Sequence, residues 1–518
     1  MSAWSSTRAA ATKVSDTNTA RTTLIAVTYA RDARPRNKIC HAGRENTRRL
    51  VVMACMLILA LETVQAAEWR FRPWLSVAET FSDNINISAT NPEQDYVTDI
   101  SPGFTLNGKG RRFSLDVFYN LQYLNYARNT DSDRFVNNLQ VLSNGELVED
   151  LFFLDLRSTV SQVNISNRAN TVNSSISITD NVTNAYTFGI SPYLKHRFGS
   201  FMDGEARYTY DKVNYSTGQS DSQSDTVFLD LKSGNRFETV TWNSYYRGFR
   251  EHQEFGPDIT FKRGEVNGRY HFNRKYALMF GTGYEENDFF TTKTDTLTAV
   301  TWLAGLSLRP NSRTLIEGGV QNRFFGVAPF LNITYLSKRT ALAFRYLEDL
   351  TTTNQVQFNR TLVPLLDSFG DPILDPNTGE AIEIPIDTPG TFNQVVVNQT
   401  FDGTVTVRGQ RTDVGVTLYD QYRNFQIGPD EEVYGGRVFA NRRLSRYTTL
   451  SLWGRVQQSD FDGPTPDRKL WQVGIGLVRQ FSRNFLGRIN ASHISQDSQD
   501  SSLAYDENRV TLSLTKSF

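Results

Sequence analysis

The chain closes on VTLSLTKSF (510–518), in which Val510, Leu512 and Leu514 alternate with Thr511, Ser513 and Thr515 before a terminal Phe518. A period of two is the strand period, because successive side chains point to opposite faces. One strand of this kind would suit a soluble sheet equally well. The pattern therefore has to be followed through the rest of the chain.

It recurs from residue 69 onward. Phe113, Leu115, Val117, Tyr119, Leu121 and Tyr123 interleave with Ser114, Asp116, Asn120 and Gln122. Trp471, Val473, Ile475 and Leu477 interleave with Gln472, Gly474 and Gly476. No amphipathic helix breaks the series. The connections also take turns. One set is tight and polar, such as NGKG (107–110), RFGS (197–200), PNS (310–312) and FSRN (481–484). The other is mostly longer, such as RNTDSDR (128–134), STGQSDSQSD (216–225), 351–392 and SQDSQDSS (495–502). Alternating short and long connections describe a meander with one rim of turns and one rim of loops.

The expected fold is all-β: a single transmembrane antiparallel up-and-down barrel of about 22 strands, with 16 as the lower bound. Its short turns would be periplasmic and its long loops outside. The first strand is expected at 74–87. Both termini then fall on the short-turn rim. Mean hydropathy is −0.43, and no apolar run approaches the ~20 residues a spanning helix needs. A barrel reconciles low hydropathy with a membrane, since only alternate residues meet lipid while every backbone group finds a partner in the closed sheet. A soluble propeller would show an internal repeat of fixed period, and none is found.

The front of the chain reads as an export signal. LVVMACMLILAL (50–61) follows Arg44, Arg48 and Arg49 and leads to Val64-Gln65-Ala66. A basic region, about 12 apolar residues and a small-residue site are the parts of a secretory signal peptide. We place it at 44–66, with cleavage between Ala66 and Ala67. Residues 1–43 are a disordered extension or the product of a start assigned too early. The barrel is expected over 67–518. Export engages the Sec translocon and the barrel-assembly machinery, and the destination is a Gram-negative outer membrane with its lipid and lipopolysaccharide. Strands beginning near Trp74 leave no room for a plug domain ahead of the barrel.

Composition excludes several functions. Cys40 and Cys55 both precede the cleavage site, so the exported part carries no thiol chemistry. It keeps 45 basic and 51 acidic residues and no Lys/Arg block, so no nucleic-acid partner is expected. There is no G-x-S-x-G, H-E-x-x-H or Walker loop, and His196, His252, His271 and His493 lack ligand spacing. We expect no enzyme, no cofactor and no metal. The weak candidates are an Asp/His or Ser/His pair assembled at His252 or His493, and a cation loop at Asp371, Asp375 and Asn377.

WRFRPWLSVAETFSDNINIS (69–88) adds a resemblance. The element Glu79-Thr80-Phe81-Ser82-Asp83-Asn84-Ile85 resembles the opening of the outer-membrane barrels associated with the PEP-CTERM/exosortase sorting system and of related barrels encoded with exopolysaccharide operons. The resemblance implies an envelope and exopolysaccharide context, with exopolysaccharide and its secretion apparatus as partners. The end of the chain likewise resembles a barrel-assembly signal, carried by Val510, Leu512, Leu514 and Phe518, with Lys516 departing from the usual apolar residue.

Function then rests on the lumen. Strand parity points Asp116, Asp155, Arg157, Glu205, Arg207, Arg345 and Arg488 inward. A barrel of 18–22 strands is too wide for wall side chains to fill. The segment 351–392, taken as the only long insertion, is expected to fold into the pore as a constriction. Two functions stay open: a channel for polysaccharide or small solutes, and a non-conducting structural barrel that anchors extracellular matrix.

Overall fold

The computed structural model describes residues 68–172, 174–217, 219–360, 391 and 393–518. The signal peptide, its cleavage site at Ala66 and Ala67, and the extension before it lie outside the described residues. So does the candidate cation loop of Asp371, Asp375 and Asn377.

Twenty-two strands make one sheet: β1 (Glu68–Ser82), β2 (Asp95–Lys109), β3 (Phe113–Tyr126), β4 (Arg134–Val148), β5 (Phe152–Asn164), β6 (Val182–Phe198), β7 (Met202–Tyr215), β8 (Ser222–Ser233), β9 (Val240–Gln253), β10 (Ile259–His271), β11 (Tyr276–Asp288), β12 (Thr298–Asn311), β13 (Thr314–Arg323), β14 (Gly326–Leu336), β15 (Thr340–Thr352), β16 (Val395–Arg408), β17 (Thr412–Phe425), β18 (Glu431–Arg443), β19 (Thr448–Phe461), β20 (Arg468–Ser482), β21 (Phe485–Ser498) and β22 (Tyr505–Ser517). Each pairs antiparallel with its chain neighbours, and β1 pairs with β22 from Trp74↔Ser517 to Ser82↔Arg509. The ring is closed and no edge remains. One short helix, α1 (Thr353–Arg360), follows β15. Among the described residues no helix is long and apolar enough to cross a membrane.

The outer surface explains the low hydropathy. Val77, Leu229, Val300, Leu306, Val416, Leu418, Ile475, Ile489 and Leu512 stand exposed on the outer face. Aromatic residues flank this aliphatic belt. Phe71, Phe198, Phe272, Tyr276, Tyr447 and Phe518 sit toward the short-turn rim, and Tyr96, Phe135, Tyr284 and Tyr434 toward the long-loop rim. An apolar belt between two aromatic girdles is the exterior of an outer-membrane barrel.

The first strand departs from the expectation of 74–87. It ends at Ser82, and DNINIS (83–88) turns inward although it alternates like a strand. Asn84 drives the turn. Its Nδ2 donates to the carbonyls of Ser88 and Asp506, both at 2.9 Å, and its Oδ1 accepts from the Ser88 N–H. Ile87 is held at φ 46°, a left-handed conformation that costs a non-glycine residue about 1–2 kcal/mol. The compensation is local. Ile85 is fully buried with Val97, Leu124, Tyr126, Val136 and Ile176 in an apolar cluster.

Candidate functional site: the lumen and its outer mouth

Strand spacing of about 4.8 Å and a tilt near 40° give 22 strands a backbone diameter of roughly 40 Å. Side chains from the wall cannot meet across that width. Directly paired residues share a face, so the registers place all seven candidates on the inner face: Asp116, Asp155, Arg157, Glu205, Arg207, Arg345 and Arg488.

Most of them are engaged with the wall itself. Arg207 Nη1 donates to Asp155 at 2.7 Å and its Nε donates to Glu205 at 2.8 Å. The same guanidinium lies 3.7 Å from the Tyr193 ring centroid, and Phe153 stacks on Tyr193 at 5.1 Å. Arg157 Nη2 donates to both Asp211 oxygens at 3.1 Å. Arg345 donates to Asp402 at 2.7 Å, and Asp116 accepts from Asn107 at 2.7 Å. The ladder continues where sequence reasoning named nothing. Arg263 pairs with Glu265, Arg269 with Glu317, and the nearly buried Arg323 with the fully buried Glu285 at 2.7 Å. Such pairs fix the wall and leave it hydrophilic.

A second lumen feature is aromatic. Trp74, Phe118, Tyr193, Phe228, Tyr245, Phe330, Phe439 and Trp453 share the inward parity, each four to six residues in from the short-turn end of its strand. They form an inner ring of aromatics at one level. Trp74 stacks on Phe118 at 5.5 Å, and Phe228 lies 6.4 Å from Tyr245.

The long-loop mouth is crossed by the chain itself. The connection 165–181 between β5 and β6 runs inward over the lumen. Its near anchor is on β3 and β4: Tyr126 donates its hydroxyl to the Ile176 carbonyl at 2.7 Å, and Arg134 donates to the carbonyls of Ser175 and Ser177. At the barrel seam, Arg509 donates to Ser177 Oγ at 3.1 Å, and the Ile178 N–H to the Ile85 carbonyl at 2.9 Å. Farther round, Gln496 donates to Asn170, Arg468 to the Ala169 carbonyl, and Asn167 to Glu431. The β5–β6 and β17–β18 connections are ten strands apart one way round and twelve the other. The loop thus reaches the opposite wall.

The base of the 351–392 segment also docks inside. Thr352, Asn354 and Asn393 all donate to Glu251, which is 1 % exposed, and Asn354 also donates to Ser222. The Thr391 N–H donates to the Ile165 carbonyl at 2.9 Å. A polar cavity of about 160 Å3 lies at this junction, lined by Arg157, Asp211, Ser222, Arg247, Glu251 and Asn354 among others. Residues 361–390, the body of the expected constriction, lie outside the described residues. That segment is not the only long insertion: 165–181 is a second one, and the described chain shows it spanning the mouth. Its signal was available as a 17-residue stretch, rich in Ser, Asn and Thr, between two recognisable strands.

The remaining candidates face outward or lie at the rim. Val510, Leu512 and Leu514 point to the exterior of β22, and the Phe518 N–H donates to the Pro73 carbonyl at 2.9 Å. Lys516 shares their outward face at the short-turn rim. His252 does meet Asp258, at 2.7 Å, but on the outer face, where Arg250 grips the same carboxylate at 2.6 Å. The Arg250 guanidinium, aided by His252, holds the Asp258 carboxyl below its ordinary range. His493 bonds Asn508 and packs on Trp471. Neither histidine has a serine hydroxyl among its partners in the described residues. No group of three or more metal-ligating side chains occurs among them either.

No family model matches the chain, and no curated protein matches it. Solved barrels resemble it in architecture. The siderophore receptor PirA from Pseudomonas aeruginosa is 10% identical, covering 87% of this chain and 80% of that one, with a TM-score of 0.46. A mutant of the ferric enterobactin receptor PfeA from Pseudomonas aeruginosa is 11% identical over 87% and 80%, with a TM-score of 0.49. A loop-deletion mutant of OmpT, an outer membrane protein of Vibrio cholerae, is 9% identical over 88% and 100%, with a TM-score of 0.32.

Proposed function

We propose that the chain is an outer-membrane conduit for polysaccharide or small solutes, narrowed at its outer mouth by its own β5–β6 connection. The observation that carries this reading is the lumen. It is too wide to be filled by its wall, it is lined by paired charges and amides, and among the described residues it is crossed by loop 165–181, tethered to opposite walls. Paired charges keep a passage wetted without a strong fixed field, which suits a bulky hydrophilic solute better than a single small ion. The planar-bilayer conductance of the purified protein tests it. Replacing 167–180 by a short Gly/Ser linker should raise conductance severalfold. A wild-type protein and a deletion variant that both fail to conduct would end the conduit reading.

The Glu79–Ile85 element supports an exopolysaccharide and PEP-CTERM context as part of the same proposal. Glu79 accepts from Thr98, Ser82 donates to Glu507 at 2.6 Å, and Asp83 accepts from Asn508. The element therefore serves the β1–β22 seam and the inward turn, which gives it a structural role whatever the cargo. Deleting the gene in its host and measuring released exopolysaccharide tests the association. Unchanged release would remove it.

A matrix anchor is the second reading, favoured by the same tethers, which tie the β5–β6 connection to the barrel wall. It predicts loss of matrix attachment from a barrel that never conducts.

A further inference from the structure

The short-turn rim is not uniformly charged. The hairpins β10–β11, β12–β13, β14–β15, β16–β17, β18–β19 and β20–β21 turn through FNRKY (272–276), LRPNSRT (308–314), LSKRT (336–340), RGQRT (408–412), RRLSRY (442–447) and RQFSRN (479–484). These six segments hold thirteen Lys and Arg and no Asp or Glu. All of the thirteen except Arg408 are exposed. None of the exposed cations meets a carboxylate among the described residues. Asp413, one residue beyond RGQRT, lies on the inner face opposite Arg408.

The six hairpins follow one another round the ring, so their turns stand side by side. Two strands separate neighbouring turns, which is roughly 12 Å along the rim. The rest of the rim is built differently. There Arg111 and Arg112 meet Glu149, Arg197 meets Asp203 at 2.8 Å, and Lys232 meets Asp230 at 2.7 Å. The six-turn arc therefore carries a positive field over about half the circumference, and its own residues do not neutralise it.

Apolar side chains fix where the arc stands against the bilayer. Phe272, Tyr276, Leu444 and Phe481 are each at least half exposed on the outer face. Side chains of this kind belong in the membrane interface. In their three turns the cations are close neighbours in sequence, and long side chains reach the headgroup layer from there. Arg442 and Arg479 stand on the lipid-facing side itself, in line with the exposed Val438 and Leu477 of the same strands. The Arg479 guanidinium lies 6.0 Å from the Phe481 ring centroid. Of the exposed cations in the arc, only Arg309 and Arg443 point from a strand into the lumen, and Arg443 donates to the Gln410 carbonyl at 2.7 Å. The arc thus addresses the membrane rather than the passage.

We propose that this half of the short-turn rim binds the headgroups of anionic phospholipids. Guanidinium and ammonium groups receive the phosphate oxygens in charge-assisted hydrogen bonds. A headgroup of net negative charge relieves the repulsion within the arc, whereas a zwitterionic one brings its own cation. Phe272, Tyr276, Leu444 and Phe481 rest against the acyl chains beneath. The inference goes beyond the conduit reading and stands whether or not the lumen conducts.

Native mass spectrometry on the purified barrel in detergent tests it, with phosphatidylglycerol and phosphatidylcholine of equal chain length as probes. Phosphatidylglycerol should bind about tenfold more tightly. A quadruple variant, R274Q with K275Q, R442Q and R479Q, should lose most of that preference, and R442Q with R479Q alone about threefold of it. R442K with R479K, which keeps both charges, should retain it. R111Q with R112Q, on the paired part of the rim, should leave it within about twofold. Heat-modifiable mobility verifies that each barrel has formed. Equal binding of the two lipids would overturn the proposal. A preference indifferent to the arc variants, or lost equally in R111Q with R112Q, would overturn the location. Displacement of phosphatidylglycerol by inorganic phosphate at equal concentration would reveal a free-anion site and overturn the lipid part. Displacement by hexagalacturonate at equal charge would make an acidic polymer the occupant and overturn it likewise.

Discussion

Along β5 to β13 the inward arginines Arg157, Arg207, Arg263, Arg269 and Arg323 each meet a carboxylate, and Arg247 stands opposite the carboxylate-paired Arg263. Along β18 and β19 the inward neighbour of Arg455 is a second cation, Arg437. The two walls belong to one sheet with one strand geometry. Their difference is therefore one of residue choice: the first wall sets carboxylates beside its arginines, and the second sets Arg437 opposite Arg455 with the neutral Gln457 beside it.

The comparison is sharpest where a buried pair is broken. Arg323→Ala leaves Glu285, 1 % exposed, without its main partner. Removing one member of a buried pair costs about 3–5 kcal/mol, and denaturant unfolding in detergent should register a loss of that order. A loss below 1 kcal/mol would mean that water already screens the first wall.

Next in size is the seat of Trp453. Gly474→Val places a branched side chain where the Trp453 indole lies. Overpacking of this kind costs about 1–3 kcal/mol. The same variant should lose tryptophan emission from a protected position. An unchanged spectrum would show that the ring has room to move.

Arg455→Gln should act with the opposite sign. It relieves a like-charge pair, so stability should stay level or rise by up to about 1 kcal/mol. A loss of several kcal/mol would place Arg455 with the self-supporting wall and remove the contrast.

The smallest effect belongs to the exposed rim. Asp258 is held below its ordinary carboxyl range by Arg250. A depressed carboxyl contributes stability above its unfolded pKa and loses it as pH falls through the folded one. Exposure and salt shrink that contribution. Asp258→Asn should therefore abolish a slight acid-side slope in the thermal midpoint and change little at neutral pH.

How much of this could be read in advance differs from element to element. The alternation at 113–123 and 471–477 and the alternating connection lengths gave the strand number and the inward parity of all seven lumen candidates. DNINIS (83–88) misled, because its alternation is satisfied by Ile85 entering a buried cluster rather than by a strand. Loop 165–181 escaped because its polar residues look like any solvated loop. Its role appears only when Arg134, Arg509 and Arg468, far apart in sequence, converge on its backbone carbonyls and side chains.

The sequence by itself determined the closed barrel, since a two-residue period leaves an apolar outer face and an unsatisfied sheet edge that only ring closure resolves. Tertiary structure alone decided what occupies the ring. Strand register sets which arginine meets a carboxylate, which meets another arginine, and which ring lies over a glycine. Register is a relation between strands, and no single strand encodes it.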